Sequence, residues 1–489
     1  MIKNRYTKRS KSSKKTKTYK PSKKTKTKTK NISKYTNKLK SKKILRIIFL
    51  YSPNLENDAK IYKNEFIKQE YKVHIKIIKD INHNHIEKYY DINLFLELLP
   101  FNCKKMFPAT THLFMPNNEL FIDSHYPIYN ILHTKDTKNN NDNDNDNDID
   151  NDNDNDNDTD NHNNRYNRIR KSSSNKNQND KYIGIFTYDR YDELKSIDFV
   201  LCKSNICESF FNFIKNENKN TRKYKYETVL TKFTSVIHKE ITNIFDNNTS
   251  TYINKLIDPN LFVHLAGKSS FKNTDSLVHC WIKNKGFLNI DPDIKLIITC
   301  FEHCSRWLTS SLKRWHNYDF EKDPDVKINH KNNIVTYKNM IIYFSLIAPL
   351  STYIDIMVKA NVAICISNKE GYGHYINESR FMQKFIITLD YPPMNELVID
   401  KDDKSGSWGN GGNGIVLKKK NKFVKQIYKE TKFNFNEAYP DSDELRDSII
   451  WCIKHKNELR KWGENGRKMF LDDKKYFENS MEKFIGSKL

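Results

Sequence analysis

Short apolar runs, each followed by a stretch with apolar residues at helical spacing, recur through most of this chain, and that alternation confines it to an α/β architecture. The run ILRIIFLY at 44–51 is followed by a helix-like stretch over 58–70 and an alternating strand over 72–78. That succession predicts a β-α-β unit opening a parallel sheet. Further strands are expected over 111–115 and 198–203. In the second half the spacing predicts strands over 261–265, 295–299, 334–337, 362–367 and 385–389, with helices over 276–283 and 352–359 and another beginning at 378–383. Two doubly wound, Rossmann-like domains are therefore expected, 44–255 and 256–435. A helical stretch over 441–484, broken at Gly463 into two terminal helices, follows and packs across both.

Two segments cannot join such a fold. Residues 1–43 repeat Lys, Thr and Ser (KKTKTKTK) with almost nothing to bury, and residues 134–180 are dominated by alternating Asn and Asp. Neither offers an apolar face to offset the entropy of ordering, so a disordered basic arm and a disordered insertion inside the first domain are expected. The formal charge of +24 is mostly the arm's: it holds 19 Lys and Arg and no Asp or Glu, leaving about five net positive charges for the rest. A nucleic-acid or anionic-membrane contact would thus fall to residues 1–43, because no base-reading motif stands in the remainder.

Eight cysteines (Cys103, Cys202, Cys207, Cys280, Cys300, Cys304, Cys365 and Cys452) are scattered without a CxxC pair, several in apolar runs, and are expected to be buried reduced thiols. Cys300, His303 and Cys304 have no second ligand pair at zinc spacing. No apolar stretch is long enough to span a bilayer, and the start lacks the apolar core of a secretory signal, so a soluble, cytoplasmic protein is expected.

A doubly wound sheet binds its ligand where the carboxyl ends of its strands meet helix N-termini. Three such ends carry unusual residues. The first, HLAGKSSFKNT at 264–274, leaves a strand through Gly267 and offers Lys268 and Lys272, which could neutralise a diphosphate or simply form a solvated basic turn. In the second, EGYGHYINE at 370–378, Gly371 and Gly373 let backbone amides approach a ligand, while Glu370 and Glu378 can accept hydrogen bonds from sugar and ribose hydroxyls. The third, LDYPPMNEL at 389–397, ends a strand in a double-proline turn and carries Asn395 and Glu396; it also reads as no more than a stiff turn before a helix.

These three segments, in this order, resemble the C-terminal domain of group 1 retaining glycosyltransferases, which carry a Glu-x7-Glu motif after a buried strand. The resemblance covers roughly residues 261–417. It implies a GT-B architecture, two Rossmann-like domains facing a cleft, and transfer of a sugar from a nucleotide-diphosphate donor to an acceptor that is a glycan, protein or lipid. By the family's roles Glu370 touches the donor sugar, Glu378 the nucleotide ribose, and Lys268 and Lys272 the diphosphate. The backbone from Gly371 through Tyr372, Gly373 and His374 to Tyr375 approaches sugar and phosphates, and Asn395 and Glu396 line the donor site. The resemblance implies retention of configuration and no cofactor or metal. Asn273 departs from the glycine usual after the second lysine, which is tolerable unless the backbone there is left-handed or crowded. The loop after Leu50 lacks a glycine-rich turn, and Glu119 and His125 are weaker acceptor-side candidates. A catalytically silent GT-B scaffold and an anionic-surface binder acting through the arm are the alternatives.

Overall fold

A computed structural model of the chain describes residues 42–50, 53–78, 87–96, 107–116, 194–217, 224–267, 269–300, 303–345, 349–368, 370–403, 411–421 and 438–489. Residues 1–41 of the expected arm, the Asn/Asp insertion, Glu119, His125 and Lys268 lie outside these residues.

The first half opens with β1 (Ile44–Leu50), α1 (Pro53–Lys68) and β2 (Lys72–Ile78). Leu55, Ala59, Tyr62 and Phe66 recur along α1 at spacings of three and four and are all buried, so one stripe of the helix covers the sheet. There follow β3 (Tyr90–Leu96), β4 (Ala109–Met115), β5 (Phe199–Cys202), α2 (Asn205–Glu217), β6 (Glu227–Leu230), α3 (Lys239–Asn247) and α4 (Ser250–Leu256). The strands form one parallel sheet in the order β2-β1-β3-β4-β5-β6.

The second half begins at β7 (Asp258–Gly267) and continues through α5 (Thr274–Lys283), β8 (Lys295–Cys300) and α6 (His303–His316). Next come β9 (Val326–Asn329), β10 (Ile334–Tyr337), β11 (Met340–Tyr343), α7 (Leu350–Lys359), β12 (Ala360–Cys365), α8 (His374–Phe381) and β13 (Phe385–Leu389). The short α9 (Met394–Leu397) and β14 (Gly414–Leu417) complete the sheet's set, and β15 (Lys419–Asn421) pairs with β16 (Ala438–Pro440) beside it. The sheet runs β14-β13-β12-β7-β8-β11-β10-β9, with β9 and β10 an antiparallel edge. Its six parallel strands, taken in chain order, follow the Rossmann order 3-2-1-4-5-6, with the reversal between β7 and β12. Every residue of β12 and β13 is buried, as strands covered by helices on both faces require.

The chain ends in α10 (Ser442–Lys454) and α11 (Leu459–Lys488). Two terminal helices are present, but the break falls between Lys454 and Leu459. Gly463 lies inside α11, where a Cβ would collide with the carbonyl of Gln383, so this glycine permits a close helix-to-backbone approach and does not end a helix. Farther along, Phe477 meets Tyr62 and Phe233, and Phe484 meets Phe199. The helix thereby reaches back onto the first half, and one apolar core runs through both sheets. The α/β class with two doubly wound parallel sheets is the fold of this chain. Among the described residues no helix is long and apolar enough to cross a membrane. Cys202, Cys207, Cys280, Cys300, Cys365 and Cys452 are buried free thiols.

Candidate functional site

The switch point of the second sheet brings together the ends of β7 and β12. At the end of β7, Gly267 adopts a left-handed φ of +56°, and among the described residues other than its chain neighbours no atom lies within 4 Å of where a Cβ would stand. Ser269 caps the following 3-10 turn by accepting the Phe271 amide at 3.2 Å. The two loops are tied directly, since the Asn368 amide donates to the Phe271 carbonyl at 2.8 Å.

Within this frame Lys272 ion-pairs with Glu370, and its Nζ lies 3.7 Å from the ring centroid of Tyr375. Ser367, the second residue after β12, donates to Glu370 Oε1 at 2.6 Å. Its single hydroxyl proton is then committed, so the Tyr375 hydroxyl, also 2.6 Å away, must be the donor to Ser367 Oγ. Burial, and next the Glu370 charge, push the Tyr375 phenol far above its ordinary range, which keeps that proton in place. Lys272, Glu370, Ser367 and Tyr375 thus form one chain of charge and hydrogen bonds.

The Glu378 side chain, one turn into α8 and half-buried, forms no hydrogen bond or ion pair among the described residues. Burial pushes its carboxyl up to about 6, while the charges of His374 and Lys272 pull the other way. A carboxylate held without a hydrogen-bond partner beside Lys272 is equipped to accept hydroxyl donors.

Two supports hold the frame from behind. His264 on β7 is fully buried, and burial depresses its imidazole to about 4, so it is neutral. Its Nδ1 donates to the Ile364 carbonyl at 2.8 Å, and Nε2 accepts from Thr274 Oγ1 at 3.0 Å. It therefore fastens β7 to β12 and to the first residue of α5. Asn273 occupies a left-handed conformation, φ +52° and ψ +35°. The backbone there does have the shape that favours glycine. Asn is tolerated because it is one of the few side chains that enter this region readily, and because its Nδ2 donates to the carbonyls of Ile366 at 2.7 Å and Ala438 at 3.0 Å.

Gly373, with φ +96°, caps the N-terminus of α8, and a Cβ there would come within 3.1 Å of Leu397. Gly371 lies in the bend just before it. The α8 amides consequently open onto the same loops as Glu370.

Other candidate side chains turn elsewhere. Tyr372 is buried and donates its hydroxyl to the carbonyl of Phe233 in the first half. His374 reaches Asp58 and Ser235, also in the first half. Glu396 accepts the amides of Asn205 at 2.7 Å and Ile206 at 2.9 Å, so its carboxylate caps the N-terminus of α2. Asn395 donates to Asp390 Oδ1 at 2.9 Å and leaves its own Oδ1 buried without a partner. Through these contacts the carboxyl-end loops of the two sheets meet, as expected for a GT-B arrangement.

Ser367, Asp58, Ser235 and Lys203 did not emerge from the sequence. Ser367 follows a buried strand, which is a signal, but the other three are separated from their partners by long stretches of chain. Among the described residues no group of three or more His, Cys, Asp or Glu side chains stands close enough to hold a metal ion.

No protein-family model matches the chain, and no curated protein does. Among solved structures, it is similar to sucrose-phosphate synthase from Thermosynechococcus elongatus, at 10% identity over 90% of this chain and 98% of that one, with a TM-score of 0.46. It is similar to WaaG, a glycosyltransferase involved in lipopolysaccharide biosynthesis, at 8% identity over 91% of this chain and 100% of that one, with a TM-score of 0.47. It is also similar to the catalytic domain of starch synthase IV from Arabidopsis thaliana bound to ADP and acarbose, at 9% identity over 90% and 99%, with a TM-score of 0.45.

Proposed function

We infer that this chain is a glycosyltransferase that takes a sugar from a nucleotide-diphosphate donor bound at the ends of β7 and β12. The observation that carries this reading is the Lys272–Glu370–Ser367–Tyr375 chain beside the Glu378 carboxyl, which lies one turn into α8 and has no hydrogen-bond partner among the described residues. Carboxylates accept from polyol hydroxyls, and a lysine with helix-end amides stabilises a diphosphate as charge develops on it. One loop pair supplies both kinds of group.

In this reading Glu370 holds the donor sugar, Glu378 the ribose, and Lys272 with Lys268 the diphosphate. The backbone from Gly371 to Tyr375 faces the sugar and phosphates. Lys272 and Glu370 neutralise each other before substrate arrives, so neither is left as an isolated charge, and the donor replaces that pair with two oriented contacts. As the anomeric carbon ionises, the lysine meets the departing diphosphate. The departing phosphate assists deprotonation of an acceptor hydroxyl approaching from the same face, which gives retention. No metal enters this scheme, because lysines and amides carry the charge.

The test is a thermal-shift and calorimetry panel of UDP, GDP and ADP with their sugars, followed by incubation with a labelled form of the sugar that binds. Stabilisation by one nucleotide and release of that nucleotide from its sugar are expected. Stabilisation without hydrolysis or transfer would leave a silent scaffold, and absence of any binding would remove the assignment.

A further inference from the structure

His374 is the first residue of α8, directly after Gly373, yet both partners of its ring belong to the first half. Its Nε2 lies 3.1 Å from Oδ1 of Asp58 on α1, and its Nδ1 lies 2.9 Å from Oγ of Ser235, which follows β6. The other Asp58 oxygen accepts from Lys203 Nζ at 2.8 Å, just past the end of β5. The side chains of Asp58 and Lys203 are 3% and 2% exposed, so this ion pair is almost wholly out of water. Burial alone would raise the Asp58 carboxyl; Lys203 and then His374 outweigh it and bring it down to about 2. Asp58 is ionised and can only accept, so the 3.1 Å approach of Nε2 to Oδ1 is an electrostatic contact of the ring with the carboxylate, while Nδ1 shares a hydrogen bond with the Ser235 hydroxyl. Phe233 and Tyr372 confine the ring edge-on, at 6.0 and 5.4 Å between centroids.

A buried, hydrogen-bonded ion pair is a rigid object, since losing either partner strands a charge away from water. We propose that Asp58 is a positioning residue that acts through His374, clamping the first turn of α8 so that its amides and Glu378, one turn on, take up their ligand-binding geometry only when the two halves are closed. The role assigned to Glu378 and the amides rests on the glycosyltransferase reading; the clamp itself rests on the contacts alone. Donor binding and closure of the halves are then one event.

The experiment uses the full chain. His374→Phe keeps the ring contacts with Phe233 and Tyr372 and removes the polar contacts with Asp58 and Ser235, while His374→Gln restores a donor facing Asp58. Amide hydrogen exchange over 371–381 is measured without ligand, and affinity for UDP, ADP and GDP by calorimetry. The phenylalanine variant should exchange about tenfold faster over 371–381 with β12 and β13 unchanged, and bind its nucleotide about tenfold more weakly, the scale of one hydrogen bond to a charged group. Glutamine should recover most of both losses, and adding Asp58→Asn together with Lys203→Met, which leaves no stranded ammonium, to the phenylalanine variant should cause no further loss. Exchange and affinity within about twofold of the parent chain, or losses from the Asp58→Asn/Lys203→Met pair that add in full, overturn the clamp. If the unsubstituted chain binds none of the three nucleotides, the glycosyltransferase reading falls and the exchange result alone decides the clamp. If His374→Phe fails to fold, Ser235→Ala must shift exchange over 371–381 in the same direction, and no shift overturns the proposal.

Discussion

Lys272 and Glu370 neutralise each other across the ends of two adjacent strands, with the ring of Tyr375 lying 3.7 Å from the ammonium and Ser367 holding the same carboxylate oxygen at 2.6 Å. The two residues are 98 apart in the chain, and they meet because β7 and β12 are neighbours at the point where the strand order reverses.

Lys272→Ala and Glu370→Ala should each lower turnover of the donor by about 10², as loss of a single electrostatic stabiliser does. Their binding signatures should differ. Lys272→Ala weakens the free nucleoside diphosphate, whereas Glu370→Ala weakens the nucleotide sugar much more than the free diphosphate. Calorimetry with both ligands separates the two, and equal losses for both ligands in both variants would contradict the assigned roles.

Glu378 carries a pH signature. Its carboxyl is raised by burial from 4.5 to about 6, so the folded chain holds this proton more tightly than the unfolded one. The group's favourable contribution is therefore full below about pH 4.5 and is lost as pH rises through about 6. Glu378→Gln removes that loss, and its melting temperature relative to the parent should climb between pH 4.5 and 7. Parallel curves for parent and variant across that window would show that the carboxyl is not perturbed.

Asn273 combines a left-handed backbone with two buried side-chain hydrogen bonds. Asn273→Gly keeps the backbone relaxed and loses only the bonds, at about 1–3 kcal/mol. Asn273→Ala loses the bonds and adds left-handed strain of about 1 kcal/mol. Urea unfolding should rank parent above glycine above alanine; alanine equal to or above glycine would mean the strain is absent.

Glu396 caps α2 from the other half of the molecule. Glu396→Ala frees the amides of Asn205 and Ile206 and removes a negative charge from a helix N-terminus, which together should cost about 1–2 kcal/mol. Hydrogen exchange should rise at those two amides first. Unchanged protection there would mean the cap does not persist in solution.

The strand ends were legible because a fully buried strand such as β13 appears in sequence as a continuous apolar run, and a glycine or proline marks where it stops. The expected strand over 385–389 coincides with β13, whereas the helix expected to begin over 378–383 runs from His374 to Phe381, four residues earlier. Strands such as β3 and β11 were not distinguished, since YDINLFL and MIIY are short apolar stretches without a punctuating turn pattern. Gly463 was misread as a helix break because a glycine needed for close approach and one needed to end a helix look alike in sequence.

The sequence by itself determined the α/β class, the second sheet's strand ends and which turns carry Lys272, Glu370 and Glu378, because periodicity and turn chemistry act over a few residues. Only the tertiary structure decided which way the remaining side chains face. His374 meets a serine 139 residues away, Glu396 an amide 191 residues away, and Tyr372 a carbonyl 139 residues away. Those choices depend on how the two sheets approach, and no local pattern encodes the partner that a side chain finds across such an interface.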